Sequence, residues 1–187
     1  MITIVSGLPR SGTSMMMQML EAGGVPPVTD HIRKPDDDNP RGYYEFERVK
    51  KIKEDTDWLD DCSDRVVKMV SMLLYDLPPD KQYKVIFMKR DMAEMLASQN
   101  KMLLRLGTGE AGVSDEMITN TFTKHLEDIE TWLEEQPNIQ VIYVNHHDVI
   151  KNPKETAGKV NAFLDGRLDE KMTAGVVDRK LYRQRRQ

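Results

Sequence analysis

Residues 1–14 read Met1-Ile-Thr-Ile-Val-Ser-Gly7-Leu-Pro-Arg-Ser-Gly-Thr-Ser14. Residues 1–5 are apolar enough for a buried parallel strand. The glycines at 7 and 12 mark a tight turn, and a helix is expected to begin near Gly12. Strand, glycine-bearing turn and helix in that order form the layout of a phosphate-binding loop. Its backbone N–H groups converge on one point, and the new helix aims the positive end of its dipole there, which makes a site for a phosphate-like anion. The pattern departs from a nucleoside-triphosphate loop at one place. Such loops carry lysine just before the final Ser/Thr; here that position is Thr13, and the nearest cation, Arg10, lies inside the loop.

Outward from the loop, strands and helices alternate. The run Met15-Met-Met-Gln-Met-Leu20 is apolar nearly all round and reads as a buried helix stopped by Gly23-Gly24. Residues 25–44 form a long polar segment with several prolines and the run Asp36-Asp-Asp38, read as a solvated loop; a loop of this length in a compact domain is usually functional. Residues 45–58 are a helix candidate, and 65–70 and 84–88 are strands. Over 91–106 the period is helical, with Met92, Met95, Leu96, Gln99 and Leu103 on one face. Ser114 starts a longer helix whose stripe is Ile118, Phe122, Leu126, Ile129 and Leu133, with Pro137 past its end. Residues 140–144 form another strand, and Asn152-Pro153 begins a helix carrying Val160, Phe163 and Leu164. The expected fold is therefore three-layer α/β/α with a mainly parallel sheet. Ligands of such sheets lie beyond the carboxyl ends of the strands, where both the Gly7 loop and Arg90 are expected.

At 187 residues the chain is expected to form one domain over 1–187. A net charge of −4 and a pI near 5.6 argue against a general nucleic-acid binder. No apolar run approaches a membrane span. Residue 1 leads straight into a strand without a signal-peptide layout, and the single Cys62 excludes an intrachain disulfide, so a cytoplasmic protein is expected. Cys62 has no activating partner in the sequence and reads as inert.

Pro9-Arg-Ser-Gly-Thr-Ser14 behind its strand resembles the phosphosulfate-binding loop of the sulfotransferases, enzymes that use 3′-phosphoadenosine 5′-phosphosulfate. Members of that family carry an arginine at the end of a central strand and a serine eight residues on, which together bind the donor's 3′-phosphate. Here Val85-Ile-Phe-Met-Lys-Arg90 is followed by Asp-Met-Ala-Glu-Met-Leu-Ala-Ser98. A weaker likeness is Tyr143-Val-Asn-His-His-Asp-Val-Ile-Lys-Asn-Pro153, similar to a late strand–acidic–helix segment of the family. The basic stretch Arg179-Lys-Leu-Tyr-Arg-Gln-Arg-Arg186 is similar to the segment that closes over the donor, which implies roles for Arg183 and Arg185. The resemblance spans nearly the whole chain and implies a P-loop NTPase-like sulfotransferase fold. It also implies transfer of a sulfuryl group to an unidentified hydroxyl or amine acceptor, a small molecule or one the sequence does not name, with 3′,5′-adenosine bisphosphate as product. Sulfuryl transfer builds negative charge on the bridging oxygen, so fixed donors and a cation are needed. Arg10, the amides of Ser11, Gly12, Thr13 and Ser14, and the Thr13 and Ser14 hydroxyls are the expected suppliers. Arg90 and Ser98 would grip the 3′-phosphate. No metal is expected, because no triphosphate has to be held.

The acceptor needs a base. Cytosolic sulfotransferases place a histidine two residues beyond a lysine; Lys68-Met-Val70 takes that place here and lacks the histidine. Other branches use a carboxylate soon after the first helix. The candidates are Asp30, the run at 36–38 and Glu45, with His31 nearby. Glu45 is preferred, because the aromatic neighbours in Gly42-Tyr-Tyr-Glu-Phe46 are expected to desolvate it and raise its pKa; Asp30 is second. Tyr43 and Tyr44 fit either an acceptor pocket or a core cap. His146-His147-Asp148 reads as a strand end and helix start. Two other classes stay open: a nucleotide-dependent phosphotransferase or kinase on the same loop, and a non-catalytic nucleotide-binding protein of the same fold.

Overall fold

The computed structural model describes residues 1–36, 39, 42–106 and 114–178. Among these residues five strands, β1 (Ile2–Gly7), β2 (Pro27–Val28), β3 (Val66–Lys68), β4 (Tyr83–Lys89) and β5 (Ile139–Asn145), form one sheet in the order β2-β3-β1-β4-β5. Every pairing is parallel. Among the described residues six α-helices complete the frame: α1 (Thr13–Ala22), α2 (Met92–Leu106), α3 (Asp115–Glu135), α4 (His146–Lys151), α5 (Pro153–Phe163) and α6 (Glu170–Gly175).

Strand residues alternate between two cores, as the two-residue period of a strand requires. Ile4, Val67, Val85 and Phe87 face a cluster with Trp58, Leu59, Ile129 and Leu133. Val5, Val66, Ile86 and Met88 face the other, with Met16, Met17, Met19, Leu20, Val149 and Val160. The sheet is thus covered on both faces, by α3 and the 46–77 region on one side and by α1 and α4–α6 on the other. This is the expected three-layer architecture. The four residues Met16, Met17, Met19 and Leu20 are fully buried, so the methionine run of α1 is core. The chain stops α1 at Gly23, where a Cβ would meet Thr173 Oγ1 at 2.3 Å, and turns at Gly24 with φ 100°. Among the described residues no helix is long and apolar enough to cross a membrane.

The helix expected over 45–58 is replaced by two 3₁₀ segments, Glu47–Lys51 and Asp57–Cys62. The buried residues Val49 and Ile52 repeat at three, and Val49 N and Ile52 N donate to carbonyls three residues back. Arg48 forks onto Asp55 with two 2.7 Å bonds, and the Asp55 carbonyl accepts from Trp58 Nε1 at 2.9 Å, which fixes the bend between the segments. A third 3₁₀ segment, Ser71–Asp76, and helix α6 lie where no element was expected. The α3 start is as read: Ser114 Oγ accepts from Met117 N at 3.2 Å.

Candidate active site

The sheet order changes direction at β1. Chain that leaves β1 passes between the carboxyl ends of β3 and β4, and a crevice opens there. A cavity of about 530 Å³ fills it. Its walls include Gly7, Arg10, Gly12, Thr13 and Ser14 of the loop, Arg90 and Ser98 on the β4 side, and Tyr43, Glu45 and Lys68 on the β3 side.

The loop is tightly seated. Gly7 has φ 147° and a Cβ there would lie 2.6 Å from the Met88 carbonyl oxygen; Gly12 has φ 102° and a Cβ there would lie 2.6 Å from His146 Cδ2. Both positions therefore require glycine. Arg10 also takes a left-handed φ of 68°. Helix α1 starts at Thr13 without a side-chain cap and with no acidic residue in its first turn. Its first N–H groups have no acceptor within the helix and open on the cavity wall at Thr13 and Ser14. Ser11 turns inward instead. Its N–H closes a turn on the Leu8 carbonyl at 3.2 Å, and its buried Oγ has no hydrogen-bond partner among the described residues.

The two elements paired by the sequence meet. Arg10 Nε donates to Ser98 Oγ at 3.0 Å, and Arg90 Nη1 donates to the Arg10 carbonyl at 3.0 Å. Arg90 Nε also reaches Glu94 Oε2 at 3.3 Å, both side chains being nearly buried. The expectation separated Arg10 from the Arg90–Ser98 pair; the geometry ties all three into one cluster, because the inverted φ at Arg10 throws its side chain across to α2. Arg183 and Arg185 lie outside the described residues, as do Asp37 and Asp38.

On the other flank, Tyr43 is the hub. Its carbonyl accepts from Lys68 Nζ and, at 3.5 Å, from Ser14 Oγ; its hydroxyl donates to Asp36 at 2.7 Å; the Arg33 guanidinium stacks 3.5 Å from its ring centroid. Glu45 lines the cavity, as expected, in surroundings that were not. Arg33 lies 2.7 Å from its carboxylate and Lys68 3.9 Å, so cations rather than aromatic faces flank it. Asp30 is not on the wall. Its oxygens accept from Ile32 N at 3.0 Å and Glu47 N at 2.6 Å, a loop-fastening role. Desolvation pushes its pKa up, but these backbone donors prevail and leave it below the usual carboxylate range. Tyr44 is turned away to donate to Glu21.

Two further wall residues take no site role from the sequence: Lys68 marks only the place of the missing histidine, and His146 reads as a strand end and helix start. Lys68 ends β3, and burial pushes its ammonium down to about 8, against the pull of Glu45. His146 starts α4 against Gly12; burial first, then Arg90, holds its imidazole down at about 4, against Glu94. Both stand at strand carboxyl ends, so the rule that located Arg90 also locates them. Among the described residues no three His, Cys, Asp or Glu side chains gather as a metal-binding group.

A parallel sheet whose central strand runs through a glycine-bearing loop into a helix places the protein among the phosphate-binding-loop α/β folds. The chain belongs to the sulfotransferase domain family, whose profile matches residues 2–184. Among solved structures it is similar to the sulfotransferase domain from the curacin biosynthetic pathway, at 13% identity and TM-score 0.54 over 97% of this chain and 88% of that one. It is similar also to the sulfotransferase domain of the Synechococcus PCC 7002 olefin synthase, at 14% identity and TM-score 0.54 over 100% and 88%. At these identities the likeness concerns the fold. No curated protein sequence matches the chain. The protein is a sulfotransferase, an enzyme of sulfuryl transfer.

Proposed function

We propose that the donor is 3′-phosphoadenosine 5′-phosphosulfate and that the acceptor is a small-molecule hydroxyl or amine. The observation that carries this reading is the meeting of Arg10, Arg90 and Ser98 beside an uncapped helix start in one cavity. Two cationic elements 80 residues apart then face one ligand, as a nucleotide with phosphate at both ends demands. The chemistry of the donor set fits. Arg90 and Ser98 supply a forked cation and a hydroxyl for a phosphate monoester, and the Thr13 and Ser14 amides supply an anion cradle without a triphosphate lysine.

The donor brings an activated sulfuryl group. Transfer breaks its bond to the phosphate oxygen and forms one to the acceptor heteroatom, whose proton leaves to a base. In our reading that base is Glu45, the carboxylate on the wall beside the loop. Lys68 stands next to it as the cation for charge developing on the sulfuryl oxygens. Arg33 holds Glu45 in place through its ion pair at 2.7 Å.

Titrating the purified protein with 3′,5′-adenosine bisphosphate and with adenosine 5′-monophosphate tests the donor. Arg90→Ala is expected to weaken the bisphosphate about 10- to 100-fold, the worth of one or two charge-assisted bonds, and to leave the monophosphate nearly unchanged. Equal losses for both nucleotides would overturn the reading. Glu45→Gln is expected to abolish most turnover with the bisphosphate affinity retained; full turnover would remove Glu45 from the role of base.

A further inference from the structure

The β3 flank of the cavity has a character of its own. Phe46, Val49, Met69, Val70 and Leu73 line it, beside Lys68 and Glu45. Val49 and Met69 are buried, Phe46 and Leu73 half-buried, and Val70 stands at the mouth, 43% exposed. These five come from three places in the chain: the bend before the first 3₁₀ segment, that segment itself, and the run leaving β3. The run after β3 is tied to α3, where Ser71 Oγ and His125 Nε2 lie 2.8 Å apart.

Charge narrows the occupant further. Among the described residues, six cationic side chains line the cavity against two acidic ones, Glu45 and Asp178, a formal surplus of four. Glu47 and Glu94 lie outside the wall but pair with the lining cations Lys50 and Arg90, and so reduce the surplus. The proposed donor carries about four negative charges, up to two of them on its phosphate monoester. Its binding consumes the whole positive surplus. An acceptor bearing its own anion would then enter a site with no cationic charge left to receive it, across an apolar wall that cannot solvate it. A polyhydroxylated acceptor would leave hydroxyls against the same wall without partners.

From the wall and the charge count together, and resting on the donor reading above, we infer that the acceptor is an uncharged alcohol or phenol with an apolar carbon skeleton. Its hydroxyl points to Glu45 and Lys68, and its skeleton lies along Phe46, Val49, Met69, Val70 and Leu73. The sulfuryl group replaces the hydroxyl proton, which Glu45 accepts. The product gains a charge that the substrate lacked, and the apolar wall favours its release.

The test uses the full chain saturated with 3′,5′-adenosine bisphosphate and a calorimetric titration with 4-alkylphenols of increasing chain length. Affinity is expected to rise two- to fourfold per methylene until the skeleton outgrows the wall, fourfold being the limit for a fully buried methylene. The matching phenols with a terminal carboxylate are expected to bind at least 10-fold more weakly. Val70→Asn, a polar change at the exposed mouth that leaves the charge count as it is, is expected to flatten the alkylphenol series while the bisphosphate titration stays as in the wild type. A series without length dependence, or a preference for the carboxylates or for glycosides, with the bisphosphate still bound, overturns the acceptor inference alone. Failure of the protein to bind the bisphosphate at all overturns the donor reading, and the acceptor inference falls with it.

Discussion

Lys68 stores free energy that the site can use. Its ammonium is buried at the end of β3 and its pKa in the folded protein is about 8, below the ordinary 10.5. Between those two values the unfolded chain holds the proton and the folded chain does not, so stability rises with pH across that window and is flat below it. At pH 7 the folded state therefore bears the full cost of the buried charge. Lys68→Met is expected to lose about 100-fold or more in turnover, the scale of one preorganised electrostatic contact. The same variant is expected to be no less stable than the wild type at pH 7 in a denaturant titration, with a gain of up to about 3 kcal/mol. Wild-type turnover should decline as pH passes 8, and Lys68→Arg should move that limb to higher pH. A Met variant that unfolds earlier than the wild type and keeps its turnover would make Lys68 a structural residue.

At the scale of elements, what was legible in the sequence and what was not divide along a physical line. β1, α1, β4, α3 and β5 carry their own signals, either an unbroken apolar run or a long stripe at helical period, and each occurs where its residues imply. The segment 45–58 reads as a helix candidate too, yet two 3₁₀ turns, Glu47–Lys51 and Asp57–Cys62, form there, because Trp58 and Leu59 must reach the core under β1 and the Arg48–Asp55 fork sets the bend. That competition is tertiary and leaves no local mark. The same holds in the site. Gly7, Gly12, Arg90 and Ser98 were visible as motif positions, whereas the flanking of Glu45 by Arg33, twelve positions before it, and by Lys68 at the end of β3 depends on tertiary contacts that no spacing encodes. The junction between loop and α4 yields its own prediction. Gly12→Ala would put a Cβ into the His146 ring at a backbone angle of φ 102°, so both strain and collision act on the first turn of α1. A loss of about 1–3 kcal/mol in stability is expected from the backbone alone. Bisphosphate affinity should fall with it, because the Thr13 and Ser14 amides would be displaced from the cavity wall. Gly24→Ala is the control: it carries the same strain, φ 100°, in open space and away from the cavity, and should cost stability with bisphosphate affinity unchanged.

Across the whole molecule, β1 is the common support of two flanks with different jobs. On the β4 side Arg10, Arg90 and Ser98 gather positive charge and a hydroxyl; on the β3 side Lys68 and Glu45 meet an apolar wall. The two cores lie on opposite faces of the sheet, and β1, β3 and β4 contribute to both, so a ligand that bridges the crevice stiffens strands shared by the two cores. Ligand binding to the folded state alone is then read as global stability. At a concentration 100 times its Kd, 3′,5′-adenosine bisphosphate should stabilise by about 2.7 kcal/mol. For a chain of this length that is a rise in Tm of about 5–10 °C. The rise should shrink as salt increases, because the contacts are between charges open to solvent on one side. Magnesium with ATP at the same concentration should give less than half the shift, since the position before Ser14 holds Thr13 rather than the lysine a triphosphate needs. The opposite order, with ATP the stronger stabiliser, would mean that the arginine cluster at α2 does not receive a 3′-phosphate and that the loop alone selects the nucleotide.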